Sequence, residues 1–251
     1  MRRGMRMGGT SRLVMAAVMV VVGLVTYYGS RQKNPITGKT QAIALNPQQE
    51  VALGLRTAPQ MAQKFGGLDT DREDQERVAT VGQKLVRSSA ASKSPYEFKF
   101  SLLADSKTVN AFALPGGPVF ITRALYDRLG NEAQLAGVLG HEIGHVVARH
   151  SAEKLAQSRL GQTIVGAVGV ATSDERGRRG VGAQAAAAMV NQMIQLSYSR
   201  EDESQSDMLG VQFMADGGYD PRALVDVMEI LAKAGAGKRS EFTSSHPDPG
   251  N

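Results

Sequence analysis

Residues 141–150 read HEIGHVVARH and hold three of the chain's four histidines. On an α-helix, residues four apart lie about 40° from one another around the axis and one turn along it. His141 and His145 therefore point the same way and can share one metal ion. Leu135, Val138, Leu139, Ile143, Val146 and Val147 occupy much of the remaining circumference, so this helix belongs in a core. Two imidazoles buried there need partners. Glu142, rotated about 100° from His141, can flank a metal without binding it and act on a water beside it. Such a helix requires a second element that brings in the missing ligand. The same five residues also arise by chance on buried helices, so the rest of the chain has to supply that ligand.

His150 is a poor third ligand if the helix continues, as VVARHSAEKLAQ predicts to about Gln157. Five residues past His145 places it about 140° around the axis, on the surface or behind the ligands. The stretch SREDESQSD, residues 199–207, offers carboxylates instead. Glu203 and Asp207 are four apart and share a helix face, which suits a metal ligand followed by a partner for the far nitrogen of a ligand histidine. Glu201, Asp202 and Asp207 are weaker candidates for direct ligation. An acidic first turn that merely complements the helix dipole accounts for Glu201 and Asp202, but less well for the Glu203–Asp207 spacing.

The 251 residues contain no cysteine, which excludes disulfides, thiolate metal sites and cysteine nucleophiles. The net charge of +5 does not point to nucleic acid. Arg2, Arg3, Arg6 and Arg12 precede a run without charge, residues 13–30, and the rest of the chain is close to neutral. As a helix that run is about 27 Å long, near the hydrocarbon thickness of a bilayer. The sequence VTYYGS at its end is a poor cleavage site, so an uncleaved anchor is favoured over a signal peptide. The arginines before it place the amino terminus in the cytoplasm and the body outside it.

The expected organisation is an anchor over residues 1–30, a polar linker over 31–45 and one domain over 46–251. The domain reads as mainly α with a small β-sheet. Helices are expected from Asn46-Pro47 toward Phe65, with a kink at Pro59, from Thr70 to Val86, and on both sides of the two motifs. YEFKFSLLA, residues 96–104, alternates as a strand does, and residues 109–122, VNAFALPGGPVFIT, read as two extended pieces around a turn. Residues 160–171 are apolar but too few to span a bilayer. A charged loop over 173–180 and an Ala-rich helix over 181–198 are expected to follow.

HEIGHVVARH, then SREDESQSD some fifty residues later, then SSHPDP near the carboxyl end, with VNAFALPGGPVFIT before them, resemble the CAAX-prenyl-protease family of zinc endopeptidases. Its bacterial members include HtpX-type and BepA-like proteins. The resemblance covers about residues 34–250 and implies a gluzincin-type core that binds one Zn2+ per chain. It implies His141, His145 and Glu203 as zinc ligands, Glu142 as catalytic base and Asp207 as the Asp of an ExxxD motif. It further implies protein or peptide substrates and a role in envelope protein quality control, on the periplasmic side of a bacterial membrane. HtpX-type members have several membrane spans, whereas one is expected here. BepA-like members continue into helical repeats, whereas this sequence stops at Asn251.

Two further readings follow. The strand around Asn110, Ala111 and Phe112 can pair with an extended peptide or be sheet alone. By composition His246 lies in an incidental tail, but the resemblance places it at the active site. There it either donates to an oxyanion or occupies the metal's open position. A non-catalytic envelope protein with a structural metal is the alternative to an enzyme.

Overall fold

The computed structural model describes residues 9–172, 197–235 and 246. The expected loop at 173–180, most of the expected helix at 181–198, and the residues flanking His246 lie outside that set. In chain order the elements are α1 (Gly9–Gly29), β1 (Arg31–Lys33), β2 (Thr40–Ala42), α2 (Pro47–Lys64), α3 (Arg72–Ser88), β3 (Lys99–Leu103), β4 (Ala111–Ala113), β5 (Pro118–Thr122), α4 (Arg123–Tyr126), α5 (Glu132–Ala148), α6 (His150–Thr172), α7 (Arg200–Asp216) and α8 (Ala223–Gly235). The fold is mainly helical with small sheets.

Capping residues set most helix starts. Asn46 and Gln49 form a reciprocal capping box before Pro47, and Asn131 accepts from the Gln134 N–H at the start of α5. Ser199 and Asp202 form another box at α7. α2 runs on through Pro59.

The sheet order is β3-β5-β4, with β3 parallel and β4 antiparallel to β5. β4 is thus an edge strand. The turn Leu114–Gly117 that joins β4 to β5 needs glycine at both Gly116 (φ 80°) and Gly117 (φ 119°). A side chain on Gly116 would also collide with the backbone of Val51 in α2. Inward residues of the sheet, Phe100, Leu102, Val119 and Ile121, pack with Val78, Val81 and Leu85 of α3 and with α5 in one core. α5 is central: every residue from Gln134 to Ala148 is buried.

The segment expected as a linker is structured. β1 and β2 form a hairpin, and the buried amides of Asn34 and Gln41 donate to the carbonyls of Val147 and Ala148, both at 2.8 Å. These are carbonyls at the end of α5 that have no partner within their own helix. Sequence reading missed this because the hairpin's partners lie more than a hundred residues away.

The expected continuous helix through His150 is also corrected. α5 stops at Ala148 because Arg149 adopts the left-handed conformation, φ 62° and ψ 32°. A non-glycine residue holds that conformation only when its surroundings fix it. Here the guanidinium does so: Nε donates to Glu50 at 3.2 Å and Nη2 to the Leu45 carbonyl at 2.8 Å. Glu50 is 2% exposed and also accepts from the Tyr96 hydroxyl. Burial pushes the Glu50 carboxyl up, against the pull of Tyr96 and Arg149. Replacing Arg149 with Ala strands this carboxylate. We expect Arg149→Ala to lower the unfolding free energy by about 3–5 kcal/mol, read from denaturant midpoints. A loss under about 1 kcal/mol would show that the pair contributes little.

Candidate metal centre

The site forms where α5 crosses α7. A Cβ on Gly140 would lie 3.3 Å from the Gly210 carbonyl oxygen, and one on Gly144 would lie 3.0 Å from that of Ser206. The glycines let the two backbones meet, which brings the first turns of α7 over the histidine face of α5. Ligand atoms of His141, His145, Glu203 and His246 then all lie within 4.8 Å of one another, and all four residues are buried. The Nε2 atoms of His141 and His145 stand 3.0 Å apart, and the Glu203 carboxylate is 3.4 Å from the first and 3.6 Å from the second.

Hydrogen bonds behind each imidazole fix which nitrogen faces inward. His141 Nδ1 lies 2.8 Å from Asp207 Oδ1; donating its N–H there leaves Nε2 for the pocket. His145 is held by His150, a residue the sequence placed on the surface or behind the ligands. His150 is 1% exposed, with Nδ1 3.0 Å from His145 Nδ1 and Nε2 2.9 Å from the Gln205 side-chain oxygen. Burial pulls the pKa of His150 down, so it is neutral, and its one N–H goes to Gln205. Its bare Nδ1 then accepts from His145 Nδ1–H, leaving His145 Nε2 unprotonated toward the pocket. The turn at Arg149 makes this contact possible by swinging His150 back onto α5. The Tyr198 ring, 4.1 Å from that of His145 between centroids, closes the other side.

The donor set fits a divalent cation. Burial alone would push the His141 pKa down, but hydrogen bonds to Asp207 and Glu203 outweigh it and carry it up to about 10. A cation bound at His141 Nε2 would displace the second proton that the ring otherwise carries there. Burial also drives His145 well below its usual value, which keeps that imidazole neutral as a ligand must be. Two imidazoles and a carboxylate are a donor set typical of catalytic zinc.

Glu142 is 1% exposed, and its Oε1 has no hydrogen-bond partner among the described residues. Burial raises its pKa against the pull of His246 and His141, and the Ala113 backbone N–H of β4 bonds its carboxylate. The edge strand with Asn110, Ala111 and Phe112 therefore runs beside this glutamate. His246 places Nδ1 3.2 Å from both Glu203 oxygens and 3.3 Å from His141 Nε2, with Nε2 3.8 Å from Glu142 Oε1. Glu201 stays on the exposed side of α7, and Asp202 pairs with Lys154 at 2.9 Å, so neither enters the pocket.

A buried HExxH helix met by a glutamate from a second helix defines a gluzincin-type metallopeptidase architecture. The chain belongs to peptidase family M48, whose pattern matches residues 72–251. It is similar to the beta-barrel assembly-enhancing protease of Yersinia pestis, with 31% identity over 223 residues, 86% of this chain and 44% of that protein. Mitochondrial metalloendopeptidase OMA1 of Schizosaccharomyces pombe is 34% identical over 172 residues, 68% of this chain and 48% of that protein. Metalloprotease YcaL of Escherichia coli is 29% identical over 192 residues, 72% of this chain and 70% of that protein. The chain spans less than half the length of the first two relatives. The match is to family M48 as a whole and does not single out the CAAX-prenyl-protease branch.

Proposed function

We propose that the protein is a zinc-dependent endopeptidase anchored in a bacterial envelope membrane by α1, with its body on the periplasmic side, and that it acts on envelope proteins. The observation that carries the reading is the convergence of His141, His145 and Glu203 in one buried pocket beside Glu142 Oε1, which has no hydrogen-bond partner among the described residues. Zinc in that pocket supplies Lewis acidity toward a water and toward the scissile carbonyl. Glu142 Oε1 takes a proton from the attacking water as its oxygen bonds the carbonyl carbon. The same oxygen returns the proton to the amide nitrogen as the C–N bond breaks. A carboxyl whose pKa is raised by burial is suited to both transfers. The peptide lies along the free edge of β4, next to Asn110, Ala111 and Phe112, where the outward backbone groups of Ala111 and the Ala113 carbonyl hold it extended while Asn110 and Phe112 bond inward to β5. The amide oxygen of Asn110, just before β4, is buried and without a hydrogen-bond partner among the described residues.

Support for the anchor comes from α1, the one described helix long and apolar enough to cross a membrane. Support for envelope substrates comes from the relatives, one of them named for β-barrel assembly. A second reading, a structural metal without catalysis, draws on the four-donor count, because structural zinc sites have four protein ligands.

Zinc stoichiometry tests the ligand set. One zinc per chain is expected for the unaltered protein, and Glu203→Ala should lower affinity enough to lose it on dialysis. One zinc retained by Glu203→Ala would remove Glu203 from the ligands.

A further inference from the structure

The second half of α6 presents a surface that the metal centre does not use. From Leu160 to Thr172 it carries no charged residue and runs beside α1. A Cβ on Gly23 would meet Thr163 at 3.0 Å, and one on Gly166 would meet Met19 at 3.7 Å. The pairing is therefore antiparallel. Extending that register puts Arg159 level with Tyr27, with which it lines a common cleft, and Thr172 near Val14.

Both helices leave their outer faces apolar and open among the described residues. Ile164 is 40% and Val165 72% exposed on α6, as Val18 and Val21 are 54% and 57% on α1. Threonine hydroxyls along the pair are satisfied within their own helices: Thr163 Oγ1 donates to the Arg159 carbonyl at 2.9 Å and Thr26 Oγ1 to the Val22 carbonyl at 2.8 Å. Small residues at the contact and back-bonded threonines are what helix pairs use in lipid. The polar boundaries of the two helices also coincide. Arg159 ends the uncharged run of α6 at the level where Tyr27 and Tyr28 end that of α1. Gln162, the one amide in the run, lies within a turn of that level. At the other end Arg12 precedes Val14, and the sequence after Thr172 turns charged, with Asp174, Glu175, Arg176, Arg178 and Arg179.

We propose that residues 160–172 are immersed in the bilayer beside α1, so that the protein holds the membrane through a helix pair rather than a single anchor. The occupant of the open faces is phospholipid acyl chain. The proposal rests on α1 being an uncleaved anchor. It is compatible with the expectation that this run is too short to span a bilayer: about 20 Å of helix covers two-thirds of the hydrocarbon depth when a longer neighbour shields one side. Nine residues of α6, about 14 Å, then separate the membrane surface at Arg159 from His150 at the metal pocket. The site stands close enough to reach polypeptide as it leaves the bilayer.

Because the chain has no cysteine, single cysteines can be labelled cleanly. Ile164→Cys, Val165→Cys, Val18→Cys and the exposed Gln157→Cys are each labelled with bimane. The full chain is then reconstituted in phosphatidylethanolamine–phosphatidylglycerol vesicles with or without phospholipid carrying a nitroxide on its acyl chain. The probes at 164, 165 and 18 should lose most of their fluorescence to the nitroxide lipid, and the probe at 157 should keep it. Quenching at 18 with none at 164 and 165 would overturn the proposal and leave the anchor standing; protein contact would then be covering α6. No quenching at any position would remove the anchor and the proposal with it.

Discussion

Glu142→Gln is expected to retain one zinc per chain and to cleave casein two to four orders of magnitude more slowly than the unaltered protein. The two halves of this result come from different atoms. The carboxylate of Glu142 is not among the four groups that converge on the pocket, so ion binding does not need it. Its Oε1 nevertheless lies buried next to them, without a hydrogen-bond partner among the described residues, and a glutamine amide there can neither accept the water's proton nor return one. Glutamine keeps the shape and can still accept from the Ala113 N–H, so fold and peptide edge are preserved. Zinc retained with cleavage intact would refute the role of Glu142 as base and favour a different proton acceptor. Zinc lost together with cleavage would show that Glu142 holds the ion or the pocket's shape. An unaltered protein that binds zinc and cleaves nothing would favour the structural-metal reading.

His246→Ala is expected to raise basal cleavage, by about ten- to a hundredfold if the open state is 1–10% populated. His246 Nδ1 lies within hydrogen-bonding distance of Glu203 and His141, inside the space that a substrate carbonyl or water needs. Nε2 points to Glu142, so one ring covers both the ligands and the base. Removing the ring opens that space while leaving His141, His145 and Glu203 in place. The opposite sign belongs to the other reading of the same residue: if the imidazole donates to the oxyanion, cleavage falls by about one to three orders of magnitude. Zinc content distinguishes either outcome from a collapsed site, because in both it stays near one per chain. An unchanged rate with unchanged zinc would leave His246 no part in turnover.

Periodicity and capping made most of the helices legible. The Asn131, Ser199 and Asn46 caps, the alternation in YEFKFSLLA and the turn before PVFIT are local signals, and local backbone chemistry follows them. The metal face of α5 was legible for the same reason, since residues four apart share a face on any α-helix. Three features were not. The hairpin at residues 31–42 is held by amides that cap a helix more than a hundred residues on. Arg149 turns left-handed because Glu50 and the Leu45 carbonyl hold its guanidinium, and no local pattern favours that conformation in arginine. His150, which the helix period left either on the surface or behind the ligands, consequently lies against His145.

The sequence by itself determined the donor types: two histidines one turn apart, a flanking glutamate, and a Glu–Asp pair on another helix. That follows from side-chain chemistry and helix period, which need no knowledge of neighbours. Tertiary structure alone decided how those donors meet. The α5–α7 crossing depends on glycines from both helices facing one another, and the inward nitrogen of His145 depends on a hydrogen-bond chain through His150 to Gln205. The register of α6 against α1 depends on which residues touch across the pair. Each of these is a relation between distant segments, fixed by packing and hydrogen bonding that a linear pattern does not encode.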